Sequence, residues 1–247
     1  MINSPHYTLV TGATSGIGLA IVHKLATNRK LILHGRDSEK LANLQQELPA
    51  GNLVWAHDLF RADLIYSSLS EFLSRADITV DGFVHCAGTL KLAPLKSRSY
   101  QLAFATLNVN TLSAIEIIQT LANFRLNKNF LRSVCLISSN VSNFGAKAMS
   151  DYVASKAAID SYVRSISLEA RGKFRINAVC PGALQTNMTN DIIESRSKVD
   201  QTSSLPFGLI QAENVASAVD FLMSNQGAGI TGHSLVVDGG FSIDLSL

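Results

Sequence analysis

The sequence predicts an α/β protein built on a doubly wound parallel sheet (a Rossmann-type fold), and three observations support this fold class. Short apolar runs rich in Val, Ile and Leu alternate along the chain with stretches of helical spacing. The runs are mostly continuous, which is typical of parallel strands buried on both faces. The 247 residues are 47% hydrophobic and 16% charged, which is enough apolar material for one sizeable core.

The alternation predicts the following elements in chain order. Seven strands are expected at Tyr7–Val10, Lys30–His34, Asn52–Ala56, Gly82–Cys86, Ser133–Ile137, Arg175–Val179 and Ser234–Val237. Six helices are expected at Ile17–Thr27, Glu39–Leu48, Ala62–Leu73, Tyr100–Leu121, Tyr152–Glu169 and Glu213–Leu222, with Asp37 or Ser38 capping the second. No internal repeat or Pro/Gly linker divides the chain, so we predict one catalytic domain over residues 1–247. Right-handed crossovers and ligand binding at the carboxyl ends of the strands follow from this order.

Composition excludes several classes of function. Net charge is +2, from 21 basic and 19 acidic residues, and no block of like charge occurs, so no nucleic-acid partner is expected. Cys86, Cys135 and Cys180 form no C-x-x-C pair, which argues against disulfides and zinc and predicts small core side chains. The N-terminus carries no leader pattern and no run of 18 apolar residues occurs, so we expect a cytoplasmic protein without a membrane partner.

A glycine-rich turn follows the first strand and runs into a helix. Its sequence is Thr11-Gly12-Ala13-Thr14-Ser15-Gly16-Ile17-Gly18. Glycines let the backbone approach a pyrophosphate closely, and the helix N-terminus then offers free N–H groups to it. The spacing differs from G-x-G-x-x-G, and no Lys-Ser/Thr ending of a nucleotide triphosphatase loop is present. A purely structural turn is the alternative.

Three further strand ends carry candidate cofactor contacts. Arg36 follows the second strand, 18 positions after Gly18, where it can meet the 2′-phosphate of NADP; an ordinary solvated arginine is the alternative. Asp37 competes for that role but is equally explained as a helix cap. Asp58, after the third strand, can accept from an adenine amino group or cap a loop. The small pair Ala87-Gly88 after the fourth strand leaves room for a cofactor.

The fifth and sixth strand ends carry candidate chemistry. Ser138-Ser139 follow the fifth strand, and Tyr152 and Lys156 lie one turn apart on the next long helix. A free phenol has a pKa of ~10, and a nearby cation is expected to lower it toward the range useful for proton transfer. A lone Y-x-x-x-K is common by chance, but here it shares a sheet with a nucleotide-type turn. After the sixth strand, Pro181-Gly182 and Thr186 form a plain turn or a contact to a cofactor amide.

Taken together, these residues resemble the short-chain dehydrogenase/reductase family from Thr8 to Gly240. The matching set is Thr11-Gly12-x-x-x-Gly16-x-Gly18, Asp58, Ala87-Gly88, Asn110, Ser139, Tyr152-x-x-x-Lys156, Asn177-x-x-x-Pro181-Gly182 and Asp238-Gly239-Gly240. The resemblance implies seven parallel strands in the order 3-2-1-4-5-6-7, with a nicotinamide dinucleotide across their ends. It also implies cofactor contacts from Gly12, Thr14, Ser15, Gly16, Ile17, Gly18, Arg36, Asp58, Leu59, Ala87, Gly88, Tyr152, Lys156, Pro181, Gly182 and Thr186, and no metal.

The resemblance further implies a catalytic tetrad. Tyr152 would give a proton to the substrate carbonyl, and Lys156 would hold the cofactor ribose and lower the tyrosine pKa. Ser139 would position the carbonyl oxygen, and Asn110 would hold a water in the proton relay. Asn108 and Ser138 are the lesser candidates beside Asn110 and Ser139.

Two departures from the family pattern bear on these expectations. Cys86 stands where the family usually has an asparagine that braces the sheet, so packing is affected rather than chemistry. Ser15 stands where many NADP-linked members carry a basic residue, which leaves Arg36 as the sole support for NADP over NAD. Gly35 occupies the place where NAD-linked relatives usually carry an acidic residue.

The expected function is an NADP(H)-dependent oxidoreductase acting on a small carbonyl or secondary alcohol, similar to 3-oxoacyl-acyl-carrier-protein reductases in the tail Ile230-Thr231-Gly232. The alternative is a cofactor-binding sensor or scaffold without turnover, which would not need Tyr152. The family resemblance suggests that copies pair through the helices Tyr100–Leu121 and Tyr152–Glu169, whose apolar faces need cover, so we expect a homotetramer. A substrate wall is expected from the segments 141–149 and 184–199. Its apolar groups are Val141, Phe144, Met149, Met188, Ile192 and Ile193. Arg196 and Lys198 are expected to be solvated.

Overall fold

The apolar runs of the sequence pair into one parallel sheet. A computed structural model describes residues 6–184 and 207–243, and its seven strands follow the order β3-β2-β1-β4-β5-β6-β7. The strands are β1 His6–Thr11, β2 Lys30–Gly35, β3 Leu53–Ala56, β4 Thr79–His85, β5 Ser133–Ile137, β6 Arg175–Pro181 and β7 Ser234–Val237. The predicted fold class and strand order are both confirmed.

Helices cover both faces of the sheet. They are α1 Gly16–Leu25, α2 Ser38–Glu47, α3 Ile65–Ala76, α4 Tyr100–Leu107, α5 Ser113–Ala122, α6 Phe124–Asn127, α7 Val141–Phe144, α8 Ser150–Glu169 and α9 Ala212–Met223. One core cluster lies on the face of α3, α5 and α8, with Leu9 and Phe83 at its centre. The other lies on the face of α1, α2 and α9 and is centred on Val10 and Val84. Adjacent strand residues alternate between the clusters, as expected for a sheet buried on both sides.

Strand β4 differs from its predicted position. It starts three residues before Gly82 because the fully buried side chain of Asn127 bonds both the N–H and the carbonyl of Val80, each at 2.7 Å, and holds that segment extended. It ends before Cys86, whose N–H turns to the Thr11 hydroxyl at 3.2 Å. A hydrogen bond from a distant asparagine thus sets a strand boundary that local periodicity does not show.

The long helix predicted over Tyr100–Leu121 is interrupted. Helices α4 and α5 are separated by a π-helical turn, Asn108–Leu112, in which the N–H of Ser113 bonds the carbonyl of Asn108 five residues back. The turn inserts one extra residue and changes which side chains face the sheet. Asn110 consequently points inward and is fully buried. Single π turns of this kind occur frequently at functional sites.

The structure shows where the cysteines lie and whether a described helix could span a membrane. Cys135 and Cys180 are fully buried in or beside the core, as predicted, and the three cysteines are unpaired. Within the described ranges, no helix is long and apolar enough to cross a membrane.

Candidate active site

The carboxyl edge of the sheet is shaped by the glycine turn between β1 and α1. Gly12 has a φ of +68°, and a Cβ there would lie 2.8 Å from the backbone N of Ala87. A Cβ at Gly18 would lie 2.0 Å from the carbonyl of Gly12. Only glycine therefore permits this close approach of turn, helix and neighbouring strand. Ser15 caps α1 without a side-chain hydrogen bond, so the first N–H groups of α1 lack a side-chain partner. The turn fits a pyrophosphate.

Thr11 ties this turn to the end of β4. Its hydroxyl accepts the N–H groups of Cys86 and Ala87, each at 3.2 Å, and lies 3.0 Å from Nδ1 of His85. Burial lowers the pKa of His85 to about 3, so the ring is neutral. The turn after β4 is therefore held by a threonine hydroxyl, which accounts for the tolerance of Cys86 in place of an asparagine. Ala87 and Gly88 are thereby fixed beside the glycine turn.

Arg36 and Asp37, which follow the end of β2, differ in their hydrogen bonding. The Asp37 carboxylate accepts the N–H groups of Glu39 and Lys40, each at 3.1 Å, which confirms the predicted helix cap. Arg36 is exposed and forms no side-chain hydrogen bond or ion pair with the described residues. The guanidinium is thus available to an anion at this edge, whereas the neighbouring carboxylate is committed to α2.

The end of β3 places Asp58 in a turn. One carboxylate oxygen accepts the N–H of Phe60 at 3.1 Å, so the side chain caps the loop. Its second oxygen has no partner among the described residues and is free to accept. The adjacent Leu59 is buried, which fixes the backbone of the turn. Both interpretations of Asp58, loop cap and adenine contact, are compatible with this geometry.

Asn110 is held against the turn after β4. Its amide oxygen accepts the N–H of Thr89 at 2.7 Å, and its amide nitrogen donates to the Thr89 carbonyl at 3.0 Å and to the Ser155 hydroxyl at 2.9 Å. Both amide donors are therefore used. The side chain therefore has no donor left for a relay water, which would have to donate to an acceptor of this segment instead. Asn108 lies elsewhere and donates to the carbonyl of Phe60.

Tyr152, Ser139 and Lys156 meet at the end of β5. The Ser139 side chain lies close enough to the Tyr152 phenol to lower its pKa. The Lys156 Nζ lies 5.7 Å from the centre of the Tyr152 ring and donates to the carbonyl of Ile137 at 2.7 Å. A Cβ at Gly88 would be 3.7 Å from that Nζ, so the turn after β4 also borders the group.

The direction of the pKa shift at Tyr152 differs from the one expected from the sequence. Burial raises the pKa of Tyr152 above its usual range, and the hydrogen bond with Ser139 only partly offsets this. Lys156 was expected to lower that pKa, but its ammonium lies over the ring and bonds the Ile137 carbonyl instead of the phenolic oxygen. Burial lowers the pKa of Lys156 itself to about 8. In this arrangement the phenol is neutral near pH 7.

The end of β6 closes the site. The carbonyl of Pro181 accepts the N–H of Asn140, and a Cβ at Gly182 would lie 2.6 Å from Cβ of Asp238. Asp238 accepts from the Asn140 amide and from the N–H groups of Gly240 and Ser242. These hydrogen bonds outweigh burial and lower the pKa of Asp238. Asp238 is thus a brace between the two strand ends.

Part of the predicted substrate wall is present and part lies outside the described residues. The rings of Phe144 in α7 and Phe241 after β7 are 6.0 Å apart, and Met149, just before α8, is largely buried. Phe241 was missed, because no local pattern brings the chain end to this wall. Thr186, Met188, Ile192, Ile193, Arg196 and Lys198 fall outside the described residues. No group of metal-ligating side chains occurs in 6–184 or 207–243.

A phosphate-fitting turn and a Tyr–Ser–Lys cluster on one sheet edge define an oxidoreductase of the dinucleotide-dependent class. A family model described as "Enoyl-(Acyl carrier protein) reductase" matches residues 12–242. The chain belongs to the short-chain dehydrogenase/reductase family, whose members act on CH–OH and C=O groups.

Several relatives illustrate the range of this family. A 3-oxoacyl-[acyl-carrier-protein] reductase of Rickettsia prowazekii is 31% identical over 238 residues, covering 94% of this chain and 95% of the relative. The L-xylulose reductase of Mus musculus is 31% identical over 240 residues, with coverages of 94% and 95%. Among solved structures, a glucose/ribitol dehydrogenase of Brucella melitensis is 26% identical with a TM-score of 0.85, covering 95% of this chain and 96% of that one.

Proposed function

We propose that this chain is an NADP(H)-dependent reductase of small carbonyl compounds, with Tyr152 as the general acid. The observation that carries the proposal is the meeting of Tyr152, Ser139 and Lys156 beside a glycine turn shaped for a pyrophosphate. A protein that only bound the dinucleotide would need the turn but not this cluster. The alternative of a sensor or scaffold is therefore less well supported.

The chain's own groups supply the acid–base chemistry. When bound, the dinucleotide supplies or accepts a hydride at its nicotinamide. Tyr152, neutral near pH 7, gives its proton to the substrate oxygen, and the Ser139 hydroxyl orients that oxygen. Lys156 holds the ribose and restores charge balance once the phenol has lost its proton. A main-chain carbonyl of the π turn at Asn110 then holds the water that returns a proton.

The cofactor preference is inferred from the end of β2. A 2′-phosphate needs charge-assisted donors and no opposing carboxylate, and Arg36 offers a planar fork of donors. Asp37 is withdrawn into the cap of α2. Gly35 has no side chain with which to repel the phosphate. These features support NADP(H) over NAD(H), with Arg36 as the discriminating residue.

The substrate class is inferred from the wall and from the relatives. Phe144, Phe241 and Met149 give the described wall an apolar character, which suits a hydrophobic carbonyl compound. The relatives' names include 3-oxoacyl carrier-protein and L-xylulose reductases. We infer a 3-oxoacyl thioester or similar ketone as the first class to test, and a polyol-derived ketone as the second.

Assembly and location complete the proposal. Tyr100, Phe104 and Leu112 are 74%, 42% and 42% exposed, and they form an apolar strip along α4 and the π turn that needs cover. This supports a homotetramer in which these helices pair between copies. Three unpaired cysteines support a reducing, cytoplasmic location.

The test is NADPH consumption by the purified chain against 3-oxoacyl thioesters, diketones and ketoses. Tyr152→Phe is expected to retain NADPH affinity and to lose turnover by at least ~10²-fold, because the ring stays and the proton is lost. Tyr162→Phe, on the same helix α8, is the matched control and is expected to keep activity. If the wild type binds NADPH but consumes none with any carbonyl compound, the sensor alternative replaces the proposal.

A further inference from the structure

A buried carboxylate lies directly behind the Tyr–Ser–Lys cluster. Asp160 follows Lys156 by one turn of α8 and is 6% exposed. It forms no ion pair with any residue of the described part of the chain. A buried charge without a counter-ion is costly unless hydrogen bonds satisfy it. The contacts of Asp160 therefore show what this charge does.

Hydroxyl and thiol groups from three different segments surround the carboxylate. Oxygen Oδ2 accepts from the hydroxyls of Ser138 at 3.0 Å and Ser142 at 2.6 Å. Oxygen Oδ1 accepts from the hydroxyl of Ser234 at 2.9 Å and from the thiol of Cys180 at 3.6 Å. One carboxylate thus joins the segment after β5 to β6 and β7.

The two hydroxyls bonded to Oδ2 of Asp160 belong to residues on either side of Ser139. Ser138 immediately precedes it, and the hydroxyl of Ser142 also lies 2.7 Å from the Ser139 carbonyl, sharing its proton between the two acceptors. Asn140 is held separately by Asp238 at 3.2 Å. The side chains on both sides of Ser139 are therefore anchored to buried carboxylates, and Ser139 itself lies close enough to Tyr152 to lower the pKa of the phenol.

The charge of Asp160 also acts on Lys156. Besides Asp160, the titratable groups that face the ammonium are Tyr152 on α8, His85 and Cys86 at the end of β4, and Cys180 on β6. His85 is neutral, because burial lowers its pKa to about 3. Burial raises the pKa of both thiols to about 12, so neither carries a charge at neutral pH. Asp160 is therefore the anion of this group, and it opposes the effect of burial on the pKa of Lys156.

We propose that Asp160 is a positioning residue for the reaction: through Ser138 and Ser142 it fixes Ser139 against Tyr152, and its charge balances that of Lys156. The proposal rests on the proposed reductase function. It assigns to Oδ2 a role in catalysis and to Oδ1 a role in joining the strands.

Two serine variants test separately the roles of the two oxygens of the Asp160 carboxylate. Ser142→Ala and Ser234→Ala each remove one hydroxyl from Asp160, the first beside Ser139 and the second at the start of β7. Ser142→Ala is expected to lower kcat by about tenfold, the equivalent of one hydrogen bond to a charged acceptor, with the NADPH dissociation constant unchanged. Ser234→Ala is expected to keep kcat within about twofold. Equal kcat values in the two variants overturn the positioning role.

The charge is tested by Asp160→Asn in a Tyr152→Phe background, which removes the titration of the phenol. The Lys156 signal is followed by carbon-13 NMR of the chain labelled at lysine Cε and assigned by its loss in Lys156→Arg. The midpoint of the Lys156 titration is expected to move to lower pH, because the nearby anion is gone. An unchanged midpoint overturns the electrostatic part.

The two tests distinguish failure of this inference from failure of the proposed function. The titration needs neither substrate nor turnover, so it reports on Asp160 even if no carbonyl compound is reduced. If Asp160→Asn does not fold, the serine pair decides, since each of those variants removes only one hydroxyl. A kcat loss in Ser142→Ala matched by an equal loss of NADPH affinity also overturns the inference, because it indicates damage to the cofactor site.

Discussion

Replacement of Arg36 by alanine is expected to weaken the use of NADPH while leaving NADH almost unaffected. The guanidinium is exposed and has no partner among the described residues, so no existing contact is lost when it binds a phosphate. A hydrogen bond to a charged group contributes ~1.5–3 kcal/mol, and each 1.4 kcal/mol is about tenfold. We therefore expect kcat/KM for NADPH to fall by ~10–150-fold, with solvent screening favouring the lower end.

The assay is kcat/KM for NADPH and NADH with one ketone, for the wild type and two variants. Lys40→Ala is the matched control, since Lys40 is an exposed cation on the same turn of the chain, 3.8 Å from the Asp37 carboxylate. It is expected to change both cofactors equally and slightly. Equal wild-type efficiency with NADPH and NADH, or an equal loss for both in Arg36→Ala, would refute the assignment of Arg36 to the 2′-phosphate.

Three further outcomes are expected. The unfolding free energy of the wild type minus that of Lys156→Met should rise by up to about 3 kcal/mol between pH 8 and pH 10.5, and it should be flat below pH 8. The reason is that the pKa of Lys156 is about 8 in the folded protein, so the unfolded chain keeps the proton to a higher pH. Urea titrations at intervals across that pH range check this. Phe104→Glu should lower the particle mass in light scattering relative to the wild type if the proposed homotetramer forms, since it places a charge in the exposed apolar strip. Asn127→Ala should cost at least ~3 kcal/mol of stability in urea, because three buried hydrogen bonds to Val80 and Leu121 are lost.

The sheet was the most predictable part of the molecule. Strands β5 and β7 begin and end where the apolar runs do, and the others differ by a few residues at their ends. A strand buried on both faces leaves a continuous apolar signal in the sequence. The strand order, however, followed from the family resemblance and not from periodicity, because short apolar runs do not specify their neighbours.

The helix after β4 shows where periodicity is insufficient. A π turn adds one residue to a helix without a break in composition, so Tyr100–Leu121 had the pattern of one continuous helix. The contacts that accompany the turn are long-range, from Asn110 to Thr89 and Ser155. The family resemblance favoured Asn110 over Asn108, because the family's asparagine precedes the helix that runs on as Leu112–Leu121, but the bonds made by its amide required the structure.

Asp160 and Phe241 were both absent from the predicted site, for different reasons. Asp160 had a local signal, since it follows Lys156 by one helical turn and therefore lies on the same inward face. Its partners Ser142, Cys180 and Ser234 come from distant segments, and only the fold reveals them. Phe241 had no local signal at all, because its contact with Phe144 depends on the return of the chain end to the sheet edge.

The direction of the Tyr152 pKa shift has a consequence for the reaction. Spacing alone predicted a lysine beside the phenol and hence a lowered pKa, but burial acts on both groups and raises the pKa of the phenol while lowering that of the amine. A phenol with a raised pKa keeps its proton at neutral pH and is ready to act as an acid. Alcohol oxidation would need the phenolate, which the same burial disfavours. In the proposed reaction, proton donation to a carbonyl oxygen therefore starts from the neutral phenol, and Ser139, which lowers the pKa of Tyr152, offsets part of the cost of the phenolate that forms.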